Sequence, residues 1–144
     1  LALALQIRVE RQNLSDEICG MIKKFDDKYI IILNQNHLIT RQRFTIAHEI
    51  GHFIYHKPKI GDGIVDNVMY RQPPENRKLN QQNVNEQDEQ LANNFAANLL
   101  MPKHLIDQIT NDIGGIRDPI KLAERLNVSI QAINIRLENL YKIN

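Results

Sequence analysis

The pattern of apolar and polar positions predicts strands in the first part of the chain and helices after them. Residues 20–34 read as a β-hairpin, because the isoleucine-rich segment KYIIILN follows a turn signal at Asp26 and Asp27. The polar stretch 58–85 holds three of the five prolines and reads as an irregular loop. Within it, the segment GIVDNVMYR is a candidate short strand.

A period of about 3.6 residues starts at Arg41 and predicts the first long helix. This helix is expected to reach about Lys57, with Thr40 or Thr45 as its N-cap and Pro58 as its stop. The segment FTIAHEIGHFIYH lies inside it and carries three of the five histidines.

A second helix is predicted over residues 86–101, where apolar positions again recur on one face. The expected buried stripe of this helix consists of Leu91, Phe95, Ala96, Leu99 and Leu100.

Three shorter helices are predicted after it. Pro102 suits the first residue of one of them, and the glycines at 114–115 end that helix. A turn at Asn127 separates the other two, of which the earlier is capped by Asp118 and the later by Ser129.

Composition narrows the class of protein. A chain of 144 residues with 42 % hydrophobic content suits one domain of ordinary size. A net charge of +1 provides no global field for nucleic acid or an acidic membrane. Cys19 is the single cysteine, so no internal disulfide can form, and we expect a buried thiol in a cytoplasmic protein. No apolar run approaches membrane-spanning length, and LALALQIRVE lacks the basic start of a signal peptide.

The first helix contains the pattern H-E-x-x-H. His48 and His52 are four residues apart, so both imidazoles share one helix face and can reach one metal ion. Glu49 beside them is the expected general base of a zinc hydrolase, and Gly51 predicts that another backbone passes close. His56 is rotated by about 80° from His48 on an ideal helix, so we expect a supporting or surface residue and not a ligand.

A catalytic zinc site needs a third protein ligand. The residue types that qualify are His37, Asp62, Asp66, Glu86, Asp88, Glu89 and His104. The second helix is the natural source, since small residues at 92, 96 and 97 would let it pack closely on the first. On that helix Glu89 lies on the suitable face, and Glu86, one turn earlier, is its rival.

The segments RQRFTIAHEIGHFIYH and EQLANNFAANLLMP together resemble the ImmA/IrrE family of metallopeptidases. The resemblance implies that His48, His52 and Glu89 are the metal ligands and that Glu49 is catalytic. It also implies that Asn93 supports the site. One Zn²⁺ per chain is the implied cofactor, with Mn²⁺ as the alternative. The implied partner is a protein substrate, a helix-turn-helix (Xre-like) repressor encoded nearby in a phage, mobile element or stress response.

Other roles stay open at the level of sequence. Zinc peptidases often use a tyrosine or histidine to stabilise the tetrahedral intermediate, and Tyr55, Tyr70 and His104 are the candidates. The last two helices resemble a helix-turn-helix, but Arg136 and Lys142 are their final helix's only cations, so direct DNA binding is not expected.

These observations predict an α+β metallo-endopeptidase in which a small antiparallel sheet packs on the H-E-x-x-H helix and on a helix bearing the glutamate. Residues 1–112 form the expected zinc peptidase domain, and residues 113–144 form a helical pair packed on it. Two alternatives remain: a component of a toxin–antitoxin-type pair that acts by binding its partner, and a DNA-binding regulator with a vestigial metal site.

Overall fold

The computed structural model describes residues 1–61, 63–67 and 84–142. Over these residues a four-stranded sheet combines with helices, which confirms the predicted α+β class. The elements are β1 Ile7–Gln12, β2 Ile18–Phe25, β3 Lys28–Asn34, α1 Ile39–Tyr55, α2 Lys57–Ile60, β4 Ile64–Asn67, α3 Glu86–Leu100, α4 Lys103–Asp112, α5 Pro119–Leu126 and α6 Ile130–Leu140.

The predicted hairpin is confirmed as β2 and β3, which pair antiparallel. Asp26 and Asp27 form the connecting turn with φ angles of 49° and 63°. Two-residue hairpin turns of this kind need positive φ at both positions, and aspartate tolerates that conformation better than most residues.

The sheet is mixed and not purely antiparallel as predicted. Its strand order is β1-β3-β2-β4, and β1 runs parallel to β3. The chain reverses in β2 and returns in β3, which therefore lies between β1 and β2 with the direction of β1. Strand β1 was not predicted, although Ile7 and Val9 alternate with Arg8 and Glu10 in the period of a half-buried strand.

Helix α1 begins earlier and ends earlier than predicted. Its N-cap is Leu38, and no side chain caps it. Thr45 is buried and its hydroxyl donates to the carbonyl of Arg41, so it is not a cap. The helix ends at Tyr55, and Pro58 lies in the first turn of the short α2, where its missing N–H costs nothing.

Helix α3 has the predicted position but a different buried face. Leu91 and Leu99 are 47 % and 42 % exposed, so the predicted leucine stripe is wrong at these positions. The buried residues of α3 are Asp88, Glu89, Ala92 and Ala96. Small and acidic side chains face α1 because the two helices approach too closely for leucines between them.

The predicted turns and caps of the C-terminal helices are confirmed, except that Pro102 is the N-cap of α4 and not its first residue. The glycines at 114–115 have φ angles of 105° and 89° after α4. Asp118 accepts from the backbone N–H of Ile120 at the start of α5, and Asn127 adopts the left-handed conformation after it. The hydroxyl of Ser129 accepts from a backbone N–H in the first turn of α6.

Two apolar clusters hold these elements together. One lies where the sheet meets α1 and consists of Ile7, Ile22, Ile31, Leu33, Ile50, Phe53, Ile60, Ile64 and Val84. The other joins the C-terminal helices and consists of Met101, Ile106, Leu122, Ala123, Leu126, Val128 and Ile133. The domain boundary at residue 112 stays a prediction. No helix within the described residues has the length and apolar character needed to cross a bilayer.

Candidate metal centre

Helices α1 and α3 approach each other closely at Gly51. A Cβ atom on Gly51 would lie 3.0 Å from Cα of Ala92 and 3.2 Å from its carbonyl oxygen. These separations are shorter than the roughly 3.5–4.0 Å of carbon atoms in ordinary contact. The prediction that another backbone passes Gly51 is thereby confirmed, and glycine lets the two helices carry their polar residues towards each other.

Three side chains from these helices converge in the space beside this contact. Nε2 of His48 lies 3.0 Å from one carboxylate oxygen of Glu89, and Nε2 of His52 lies 3.2 Å from the other. The two imidazole Nε2 atoms are 3.1 Å apart. All three residues are fully buried or nearly so. Together they form a compact triangle of nitrogen and oxygen atoms.

The triangle fits a small divalent cation. Ligand atoms at about 2.0–2.1 Å from a tetrahedral zinc ion lie about 3.3 Å apart, close to the separations found here. Both oxygens of Glu89 are buried without a well-directed hydrogen bond among the described residues. Two imidazole nitrogens and a carboxylate that converge this closely in a buried position are arranged as ligands that share an ion.

The charge of Glu89 supports the same role. Burial by itself raises the pKa of this carboxyl group, but its polar contacts with the imidazoles of His48 and His52 outweigh burial and lower the pKa to about 2. Glu89 is therefore a carboxylate at neutral pH, which is the form that binds metal.

Each histidine of the triangle is held by its other ring nitrogen. Nδ1 of His48 lies 2.7 Å from Oδ1 of Asn93, and this amide oxygen can only accept a hydrogen bond. Nδ1 of His52 lies 3.0 Å from Nδ1 of His56, which is 5 % exposed. Contacts of this kind fix the tautomer and the orientation of a metal-binding imidazole.

The contact network continues beyond His56. Nε2 of His56 lies 3.2 Å from Oδ1 of Asp88, and Oδ2 of Asp88 lies 2.5 Å from Nζ of Lys59. The same Oδ2 accepts from the backbone N–H of Asn85 in the capping box of α3. Burial raises the pKa of the Asp88 carboxyl group. The contacts with Lys59 and Asn85 lower this pKa by a larger amount, so the net shift is downward. Burial also lowers the pKa of His56 against the opposing effect of Asp88, and this net shift favours the neutral imidazole.

Sequence reasoning left His56 as a supporting or surface residue, and the structure places it in the supporting position. The rotation of His56 relative to His48 around the helix gives no indication of this role. The informative spacing is from His52 to His56, four residues apart, which puts these two imidazoles on one face. No sequence pattern indicates the contact between Lys59 and Asp88, since residues from α2 and α3 meet only in the fold.

The structure separates the candidates for the third ligand. Glu89 lies with the two histidines, whereas Glu86 is exposed in the first turn of α3. His37 contacts the carbonyl oxygen of Asp16 instead, and His104 is exposed on α4. Asp62 lies outside the described residues. Asp66 lies in β4, and Asp88 contacts His56 and Lys59.

The remaining candidates concern catalysis. Glu49 is fully buried beside His48. Tyr55 is 55 % exposed at the end of α1, with its ring 6.1 Å from the ring of Phe95. Tyr70 lies outside the described residues. The role of oxyanion stabiliser for Tyr55, Tyr70 or His104 stays a prediction.

Comparison with known proteins places this centre in a family. The family model of the IrrE N-terminal-like domain, which describes a family of peptidases, matches residues 4–138. No curated protein matches the chain. The match covers both helices of the metal centre and nearly the whole chain, as the resemblance read from the two motifs implies. The chain belongs to the IrrE N-terminal-like family of peptidases.

Proposed function

We propose that the protein is a zinc-dependent endopeptidase that cleaves a protein substrate in the cytoplasm. The observation that carries the proposal is the convergence of His48, His52 and Glu89, whose ligand atoms lie 3.0–3.2 Å apart in a buried position. Two imidazoles and one carboxylate are a ligand set of catalytic zinc sites, and Mn²⁺ is the alternative ion. The single buried cysteine supports a reducing compartment.

A zinc ion bound by these residues would polarise the carbonyl of the scissile peptide and make a water molecule more acidic. Glu49, as a carboxylate, accepts a proton from the attacking water and passes it to the leaving amine nitrogen. The oxygen of water joins the carbonyl carbon, the C–N bond breaks, and the products are a carboxylate and an amine. Asn93 accepts from Nδ1 of His48, which keeps the lone pair of Nε2 directed towards Glu89 and His52.

The proposed substrate is a helix-turn-helix repressor encoded near the gene of this protein. Membership of the family supports this part of the proposal, together with the resemblance of the two motifs. The chemistry of the centre is that of peptide hydrolysis in general and sets no sequence preference.

The contacts of α6 support a peptidase over a DNA-binding regulator. Nε of Arg136 donates to the carbonyl oxygen of Met101, and its Nη2 donates to Asn98. This guanidinium is therefore engaged within the protein and is not directed at a phosphate backbone. A mobility-shift measurement at low salt on the promoter of the repressor gene should show no complex.

A cleavage assay with matched glutamate variants tests the proposal. The wild-type protein loaded with zinc is incubated with the repressor, and cleavage is followed by mass spectrometry of the fragments. Glu49→Gln should bind zinc with unchanged stoichiometry and lose about 10²–10⁴-fold in rate. Glu86→Gln is the matched control, because Glu86 is exposed on α3, and it should cleave at the wild-type rate.

Cleavage by Glu49→Gln at the wild-type rate would contradict the assigned role of this carboxylate. A zinc-loaded wild-type protein that binds the repressor without cutting it would instead support the partner-binding alternative.

A further inference from the structure

A line of four polar side chains runs outward from one ligand of the proposed metal centre. His52 contacts His56 through the two Nδ1 atoms at 3.0 Å, His56 contacts Asp88 through Nε2 at 3.2 Å, and Asp88 contacts Lys59 at 2.5 Å. His52 lies in α1, His56 lies between α1 and α2, Lys59 lies in α2, and Asp88 lies in the first turn of α3. We call this set the His56 relay.

The direction of each hydrogen bond in the relay follows from the state of Asp88, which contacts Lys59 at the outer end of the relay. Oδ2 of Asp88 accepts from Lys59 and from the backbone N–H of Asn85, so Asp88 is an ionised carboxylate that can only accept. Nε2 of His56 therefore donates to Oδ1 of Asp88. In a neutral imidazole the other nitrogen then carries a lone pair, so Nδ1 of His56 accepts.

The acceptor at Nδ1 of His56 decides the state of His52. Because Nδ1 of His56 accepts, the proton in its 3.0 Å contact with His52 belongs to Nδ1 of His52. The lone pair of His52 is then on Nε2, the atom that lies 3.1 Å from Nε2 of His48 and 3.2 Å from Glu89. This tautomer is the one that can bind a metal ion through Nε2.

The relay also restrains the third ligand. Asp88 immediately precedes Glu89, and Asp88 closes the capping box of α3 with Asn85. The same carboxylate thus holds the helix turn that carries Glu89 and the imidazole that orients His52.

We propose that His56 is a positioning residue that, held by Asp88 and Lys59, selects the tautomer of His52 that binds the metal ion through Nε2. This inference rests on the metal centre of the proposed function. His48 has a simpler device for the same purpose, since Asn93 accepts directly from its Nδ1.

Zinc affinity of three variants, measured by competition with a chromophoric chelator, tests the relay. His56→Leu removes the acceptor and should weaken zinc binding by about 10–100-fold. His56→Asn places an amide oxygen near the position of Nδ1 and should recover most of that loss. His37→Leu is the matched control, because His37 is a partly buried histidine whose ring contacts a backbone carbonyl, and it should bind zinc as the wild type does.

The nitrogen NMR spectrum of the histidine rings in the zinc-loaded protein gives a readout independent of affinity. At neutral pH the wild-type spectrum should show His52 bound to zinc through Nε2 and protonated on Nδ1, and His56 protonated on Nε2 with a lone pair on Nδ1. A wild-type spectrum with the proton on Nδ1 of His56, or with His52 bound through Nδ1, would overturn the proposal, even if His56→Leu fails to fold.

The outcomes separate this inference from the proposed function. If the wild type binds no zinc, the metal centre itself is wrong. If the wild type binds zinc and His56→Leu binds it equally well, the metal centre stands and the relay is wrong.

Discussion

Replacing Gly51 by alanine tests how closely α1 and α3 must pack to form the metal centre. In an isolated helix this change would be favourable by about 1 kcal/mol, because glycine loses more backbone freedom on folding than alanine does. In this protein the new Cβ atom would lie 3.0 Å from Cα of Ala92 and 3.3 Å from Cβ of Phe95.

The clash is with backbone, so a change of rotamer cannot relieve it. Restoring ordinary carbon contacts needs a local separation of about 0.5–1 Å between α1 and α3. Overpacking of this size costs about 1–3 kcal/mol, which offsets the gain in helix propensity and leaves a net loss of about 0–2 kcal/mol. The movement would also carry Glu89, one turn before Ala92, away from His52, and we expect about tenfold weaker zinc binding.

Urea unfolding of the metal-free protein and zinc titration by competition measure the two effects. Asn94→Ala is the control, since Asn94 is exposed on α3 and this change should stabilise the helix by a few tenths of a kcal/mol without moving it. A Gly51→Ala protein that is about 1 kcal/mol more stable than the wild type, with unchanged zinc affinity, would refute the reasoning.

Three further predictions concern charge, capping and the C-terminal helices. The pKa of Glu89 falls from 4.5 to about 2 on folding. The carboxylate therefore stabilises the folded state fully above about pH 4.5, and this stabilisation is lost as the pH falls towards 2. In metal-free protein this contribution reaches up to about 3 kcal/mol, and urea unfolding at several pH values should show it in the wild type and not in Glu89→Gln. Ser129→Ala removes the side chain that accepts from Ala132 N–H and should cost about 1 kcal/mol by thermal or urea unfolding, with zinc affinity unchanged. Arg43→Met removes the donor to the carbonyl oxygens of Leu126 and Asn127 and should cost about 1–2 kcal/mol. Hydrogen exchange should then quicken in α5 and α6, and unchanged exchange there would show that Arg43 does not hold these helices.

Local signals predicted most of the elements. The turn at Asp26 and Asp27, the left-handed Asn127 and the Ser129 cap all depend on the conformations that single residues favour, and such preferences are readable without the fold. The ends of α1 were harder to predict from single residues. Leu38 caps it without a side-chain hydrogen bond, and Pro58 fits the first turn of α2 as easily as it would end a helix.

Strand β1 and the buried face of α3 show where local reasoning was insufficient. The alternation from Ile7 to Glu10 is a short signal by itself, and the parallel pairing of β1 with β3 is evident only in the fold. On α3 the most apolar residues are not the most buried, because the separation from α1 is set by Gly51 and Ala92. Close helix packing selects small side chains at the contact and leaves Leu91 and Leu99 partly exposed.

The sequence by itself determined the pair of histidines and the adjacent glutamate, since the spacing of four residues on one helix fixes which side chains share a face. It also indicated α3 as the source of the third ligand. Only the tertiary structure decided between Glu86 and Glu89 without reference to a family, and only it joined His56 to Asp88 and Lys59. The reason is geometric: contacts within a helix repeat with its period, whereas contacts between helices depend on crossing and separation, which no local pattern specifies.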